Sequence, residues 1–164
     1  MEIKRIDHYS IRTLDVEASR KFYTEVIGLA AGPRPPFKFP GLWLYSGTPP
    51  ASLEQSGGNY GVVHVMGVDP DDPQGLIDTI GYVNPETLEG GTGALDHIAL
   101  SVTGRESVVE RCHRHGVKYF ERTVPTLGLH QMFLKDPNGV MIELNFPASE
   151  APKEKDAATS TAFR

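Results

Sequence analysis

Two short stretches set an aspartate and a histidine inside a strand-like pattern: Ile6–Ile11 reads IDHYSI and Leu95–Leu100 reads LDHIAL. Successive side chains of a strand point to opposite faces. His8 therefore shares its face with Ser10, and His97 shares its face with Ala99 and Ser101, away from the large aliphatics. Neutral imidazole is a common metal ligand and acid–base group. Small neighbours leave the space in front of it open.

Two later strands each hold a single metal-capable residue. In VVHVM (Val62–Met66) His64 faces away from Val63 and Val65. In MIELNF (Met141–Phe146) Glu143 shares a face with Met141 and Asn145, opposite Ile142, Leu144 and Phe146. A carboxylate in the middle of an apolar strand is costly to bury unless it is paired, protonated or bound to a cation. The chain thus offers the same arrangement twice. An opening strand carries His8 or His97, and a closing strand carries His64 or Glu143. Related by a pseudo-twofold, these four side chains would meet at one point. The resulting mixed nitrogen and oxygen site suits a divalent Zn, Ni, Co, Mn or Fe(II) ion, and ligand type alone does not choose among them.

The elements around these residues repeat as well. Asp15 is placed to cap a helix through VEASRKFYTEVI, with Gly28 as its left-handed stop. Thr103 is expected to cap a second helix through ESVVERCHRH, which Gly116 ends. Strand-like pieces follow each helix: Leu42–Tyr45 and Val62–Met66 in the first half, then Val117–Arg122, Leu129–Lys135 and Val140–Phe146 in the second. Asp136-Pro137-Asn138-Gly139 is a turn between the last two. Pro33, Pro35, Pro36 and Pro40 blur the second strand of the first half and suggest an edge position. A period of roughly 90 residues is far beyond the roughly 20–50 of solenoid repeats and indicates a duplicated module. The reading is an α+β chain of two βαβββ modules, residues 1–67 and 95–147. Residues 68–94, rich in Pro and Gly, form a linker that packs partly through Leu76, Ile77, Ile80, Tyr82 and Val83. The stretch 148–164 is read as a disordered tail.

Composition removes other classes. The chain has 164 residues, 39% hydrophobic content, a net charge of −5 and one cysteine. It has no apolar run long enough to span a membrane and no basic face for nucleic acid. Nothing in MEIKRIDHYSI resembles a signal peptide, and a lone cysteine forms no internal disulfide, so the expected location is the cytoplasm. Cys112 joins Val108 and Val109 in the apolar stripe of the second helix; Cys112 and His115 at i, i+3 do not make a zinc site, and histidines at a helix C-terminus, His113 and His115, are favoured by its dipole. Gly90–Gly93 (GGTG) lacks the lysine and helix of a phosphate loop.

The motifs IDHYSIRTLDVEASRKFYTEVIGL, LDHIALSV and FLKDPNGVMIEL carry a resemblance. The sequence resembles the vicinal oxygen chelate superfamily, which includes glyoxalase I, methylmalonyl-CoA epimerase, extradiol dioxygenases and fosfomycin or bleomycin resistance proteins. The resemblance covers Ile3 to Pro147. It implies curved mixed sheets of two βαβββ modules that enclose a metal cavity, and a homodimer. It also implies that His8, His97 and Glu143 match ligand positions shared by most metal-binding members. His64 matches the fourth position, often Glu or Gln, which serves as a further ligand or as a catalytic base. Histidine there is a departure and leaves the reaction open.

Strand parity proposes the lining. Asn145 shares the face of Glu143, and Gln131 and Phe133 face inward on the preceding strand, with Met132 and Leu134 toward the helices. Trp43 and Tyr45 are their counterparts in the first module. An aromatic lining suits a small flat or apolar substrate. Arg12, Arg34 and Lys38 are candidate carboxylate binders, though as ordinary surface charge they need no ligand.

Three activities fit. The first is a glyoxalase-like lyase or isomerase, in which a metal polarises vicinal oxygens and Glu143 or His64 moves a proton. The second is a one-domain Fe(II) extradiol-type dioxygenase with His8, His97 and Glu143 as a facial triad. Members of that class carry a Tyr just before the DP turn and a His several residues upstream. Here the Tyr position is Phe133, and His130 is too close and faces the other side. The third is a non-enzymatic, bleomycin-sequestering type of binding protein, which a complete ligand set disfavours.

Overall fold

The computed structural model describes residues 8–80 and 97–152. The chain divides into two units, Met1–Glu89 and Gly90–Arg164. In the first, β1 (Tyr9–Thr13) leads into α1 (Val16–Lys21), which runs on as a π-helical stretch, Phe22–Ile27. Then come β2 (Ala30–Gly32), β3 (Gly41–Tyr45), β4 (Val63–Gly67) and α2 (Gln74–Ile80). The second unit holds β5 (Ile98–Ser101), α3 (Arg105–His115), β6 (Tyr119–Val124), β7 (Leu129–Lys135) and β8 (Met141–Pro147). It also has 3-10 turns at Pro125–Leu127 and Ala148–Glu150.

Both units build the same mixed sheet, in the orders β1-β4-β3-β2 and β5-β8-β7-β6. The opening strand pairs parallel with the closing one in each, and the remaining pairs are antiparallel. The fold is therefore α+β, with the βαβββ module expressed twice. This topology sets the histidine-bearing start of the first strand beside the closing strand that carries the second candidate donor.

Local chemistry explains the elements. Asp15 accepts the Ala18 N–H at 2.8 Å and starts α1, and Gly28 ends the helical run at φ 93°, the left-handed conformation a residue with Cβ seldom adopts. In β4, Val63 and Val65 are buried on the face away from His64. In β7 and β8, Met132, Leu134, Ile142, Leu144 and Phe146 are almost completely buried on the side away from Glu143. Burying each such side chain contributes about 1.5–3 kcal/mol, so the parity of these strands is strongly enforced. Asp136 closes the turn to β8 by accepting the N–H groups of Asn138 and Val140, each at 2.8 Å. The edge strand β2 stops just before Pro33, whose ring nitrogen has no N–H for a ladder.

Three local expectations change. Thr103 does not cap α3; Gly104 stands there at φ 85° with no side chain to offer. The Glu150 carboxylate takes over, its Oε2 accepting the N–H groups of Gly104 and Arg105, each at 2.8 Å. A carboxylate at a helix N-terminus satisfies orphan donors and complements the dipole. Glu150 lies in the stretch read as a tail, so the start of that stretch, Ala148–Glu150, is an ordered turn. Residues 153–164 lie outside the described residues. Finally, the stretch after Gly67, expected to be a partly packed linker, packs through a helix, α2. Leu76 of α2 is buried against Phe39 and Val68, with Phe37, Met66 and Ile77 packed around them. Gly75 permits the approach: a Cβ there would lie 2.3 Å from the Lys38 carbonyl oxygen. Tyr82, Val83 and Gly90–Gly93 lie outside the described residues.

Candidate metal centre

Each unit brings two of the four candidate ligands together. In the first, β4 lies between β1 and β3, and His64 is in register with Ser10 on one side and Trp43 on the other. Its ring is sandwiched. The His8 ring stacks on one face with centroids 3.9 Å apart, and the Trp43 indole lies nearly parallel at 4.1 Å. His64 Nε2 is 2.8 Å from the Tyr60 carbonyl oxygen. A carbonyl only accepts, so Nε2 carries a hydrogen. A ring nitrogen donating to a backbone carbonyl is the usual way a ligand histidine is oriented and its tautomer fixed.

In the second unit, β8 carries Glu143 between Ala99 of β5 and Phe133 of β7. Glu143 is 5% exposed. Its Oε2 is 2.9 Å from His97 Nε2, and its Oε1 accepts from the Gln131 amide at 2.6 Å. The salt bridges to Arg12 or Lys135 that would make this an ordinary structural carboxylate are not among its contacts in the described residues. Gln131 is itself fixed. Its amide also donates to Asn145 Oδ1 at 2.9 Å, and its carbonyl oxygen accepts from Arg122 Nε at 2.7 Å. Phe133 meets the His97 ring edge-on at 6.0 Å and stacks on Phe120 at 4.5 Å. Ala99 and Ser101 are exposed, so the face in front of Glu143 stays open on the β5 side.

The chemistry of these donors, imidazole nitrogen and carboxylate oxygen, suits a divalent ion. Ligand atoms about 2.1 Å from an octahedral ion sit about 3.0 Å apart when they are neighbours, which is the His97–Glu143 spacing. In each unit one of the paired side chains has a further hydrogen-bond partner, the Tyr60 carbonyl on His64 and the Gln131 amide on Glu143. Within neither unit, among the described residues, do three or more His, Cys, Asp or Glu gather.

The other expected contacts divide. Trp43, Gln131, Phe133 and Asn145 lie beside the paired donors. Tyr45 is completely buried, its ring over Gly32 and its hydroxyl donating to the Pro33 carbonyl at 2.6 Å, and burial pushes its phenol up. Arg34 is committed to its own loop: it donates to the carbonyls of Gly41 and Phe39 at 2.7 and 2.9 Å and covers the Phe37 and Phe39 rings. With those rings, Trp43, His64, Val65 and Met66 it lines an apolar cavity of ≈100 Å³ next to the His64 stack.

Sequence reasoning passed over Tyr60, whose contribution is a backbone atom, and Arg122, which shares a face with Phe120 on β6. It also passed over a second polar cluster on the opposite face of the second sheet. There Arg105 donates to both oxygens of Glu121 at 2.6 and 2.7 Å, which raises the guanidinium further. His130 lies between Glu121 and Thr123 at 3.2 and 2.9 Å. Cys112 is buried, and burial pushes its thiol up to about 11.

Known proteins agree with this architecture. The model of the Glyoxalase/Bleomycin resistance protein/Dioxygenase superfamily matches residues 5–144. Among solved structures, a glyoxalase/bleomycin resistance protein/dioxygenase from Nocardioides is 18% identical, with TM-score 0.57 over 94% of this chain and 89% of that one. The fosfomycin resistance protein FosX from Listeria monocytogenes is 12% identical, with TM-score 0.56 over 95% and 99%. TnmS3, an antibiotic binding protein from Streptomyces sp. CB03234, is 20% identical, with TM-score 0.52 over 90% and 98%. At these identities the likeness is one of fold. No curated protein matches the sequence.

Proposed function

The chain belongs to the Glyoxalase/Bleomycin resistance protein/Dioxygenase superfamily, and from that membership we propose that it is a metal-dependent lyase or isomerase of the glyoxalase type. Its substrate is a small molecule with vicinal oxygens. His8, His64, His97 and Glu143 are its metal ligands. The observation that carries this reading is the His97 Nε2–Glu143 Oε2 pair, backed by Gln131 on the second carboxylate oxygen. A buried carboxylate so close to an imidazole, on an open sheet face, is expensive to keep for packing alone.

When bound, a divalent ion supplies Lewis acidity, polarising a carbonyl and making the neighbouring C–H more acidic. The chain's own residues handle the proton. Glu143 would take it at Oε2 on transient release of that oxygen from the ion, while Oε1 stays on the Gln131 amide and keeps the carboxylate oriented through the transfer. His64 is held between two rings and by the Tyr60 carbonyl, which suits a ligand that stays in place. Trp43, Phe133 and Asn145 border the substrate. We extend the reading to a homodimer in a reducing cytoplasm, with Zn, Ni, Co, Mn or Fe(II) as the ion. No helix among the described residues is long and apolar enough to cross a membrane.

The test is metal analysis of protein purified without oxygen, together with O2 consumption on catechols. Stoichiometric Zn, Ni or Co without O2 uptake is the expected result. Iron with O2 uptake would overturn the lyase reading in favour of a dioxygenase. Absence of any metal would leave a binding protein. His64→Leu, which can neither ligate nor take a proton, separates its two roles: loss of metal is expected, and full metal with lost turnover would make His64 the base.

A further inference from the structure

One face of the β5-β8-β7-β6 sheet carries two parallel rows of side chains. The first runs Ala99, Glu143, Phe133, Phe120, and the second runs Ser101, Asn145, Gln131, Arg122. The second row is polar from end to end. A hydrogen-bond chain crosses it, from Arg122 Nε to Gln131 Oε1 at 2.7 Å and from Gln131 Nε2 to Asn145 Oδ1 at 2.9 Å. The Arg122 guanidinium also lies over the Phe133 ring, 5.0 Å from its centroid. That ring is backed by Phe120 and meets His97 edge-on. The cation is therefore oriented twice, by a side-chain hydrogen bond and by an aromatic platform.

Among the described residues no carboxylate pairs with it. Its neighbour Glu121 points to the other face and serves Arg105 and His130. Arg122 is exposed, in a chain of net charge −5. A guanidinium held by Nε keeps its two terminal nitrogens for a planar oxyanion, which it receives as a fork. The guanidinium and the imidazole of the proposed ligand His97 both contact the Phe133 ring, with centroid distances of 5.0 and 6.0 Å, which is the span of a short molecule.

We propose that Arg122 is the specificity residue for a carboxylate at the end of the substrate remote from its chelating oxygens. The substrate class is thus a short oxygenated carboxylic acid. This rests on the metal reading above only for the chelating end.

The experiment uses four hydroxamates, each a two-oxygen chelator. The monohydroxamates of succinic and glutaric acid carry a distal carboxylate; butano- and pentanohydroxamate carry a methyl in its place. Binding to the metal-loaded full chain is measured by calorimetry. The acids should bind about ten- to hundredfold tighter than their methyl counterparts, as a charge-assisted hydrogen-bonded pair provides, and added salt should shrink the gap. Arg122→Met should bring the ratio near one, with Arg122→Lys between; because Arg122 also holds Gln131 against Glu143, each acid is compared with its methyl counterpart on the same variant, so that any change at the chelating end cancels. A ratio near one in the wild type, a ratio that survives Arg122→Met, or no binding of any of the four overturns the proposal. Repeating the titrations on metal-stripped protein separates the two readings. Affinity for the methyl compounds that ignores the metal sinks the metal site, while the carboxylate ratio judges Arg122 alone.

Discussion

His97 Nε2 and Glu143 Oε2 lie 2.9 Å apart, brought together because β5 runs parallel to β8 with Ala99 opposite Glu143. If this pair serves only packing, truncating either member costs stability and nothing else. If it holds a metal, His97→Ala and Glu143→Ala should each weaken metal binding beyond the roughly 10–100-fold that outer-shell changes cost, with the fold retained. His97 is half-buried, so its loss leaves no large cavity. Metal titration alongside circular dichroism is the measurement. Full occupancy in both folded variants would refute the site.

Gln131 determines what Glu143 can do. Its amide is the hydrogen-bond donor on Glu143 Oε1, and its own orientation is set by Arg122 and Asn145. Gln131→Leu leaves a buried carboxylate oxygen without that donor, which should cost about 1–3 kcal/mol of stability. Gln131→Glu should cost more, since two carboxylates would then compete for one site. Urea unfolding of the metal-free protein reads both, with Leu above Glu in midpoint. The reverse order would mean that the amide is a bystander.

The parts of this site that are legible in the sequence are those determined locally. Alternation alone places His64, Glu143, Gln131 and Phe133 on their faces, because a one-residue slip would expose Leu134, Ile142 and Leu144 together. Asp136-Pro137-Asn138-Gly139 is legible because Asp136 bonds its own turn. The helix at Gln74–Ile80 is not, since its flanks are rich in Pro and Gly and its anchor is a distant Phe39. Nor is Arg122, whose meaning depends on the β6–β7 register that puts it opposite Gln131. Tyr45 shows the opposite failure: its parity matches Trp43, yet Gly32 leaves room for its ring to fold down and be buried.

Glu150 is another long-range partner. It reaches the N-terminus of α3 across 46 residues of sequence, and Gly104 contributes no cap of its own. Glu150→Gln keeps an acceptor but removes the charge, and Glu150→Ala removes both. The expected losses are a few tenths of a kcal/mol and about 1 kcal/mol respectively. The Gln loss should vanish in high salt while the Ala loss persists. Thermal unfolding at two salt concentrations measures this, and an unchanged midpoint for Glu150→Ala would remove Glu150 as the cap.

Cys112 provides a pH signature. It is fully buried on α3, and burial pushes its thiol from 9.0 to about 11. The raised value means that between these limits the folded chain holds a proton the unfolded chain has released. Stability from this group is therefore complete below pH 9 and is lost as pH rises through 11. At about 1.4 kcal/mol per unit the loss approaches about 2–3 kcal/mol. Tyr45 and Tyr119 are also raised by burial and titrate in the same region, so wild type must be compared with Cys112→Ala, which keeps the tyrosines. The variant starts lower, by the packing it loses, and its unfolding free energy should decline less steeply between pH 9 and 11. Parallel curves would show that the thiol ionises freely in the fold. Reaction with iodoacetamide at pH 9 gives an independent reading: it should be negligible in native protein and rapid in urea.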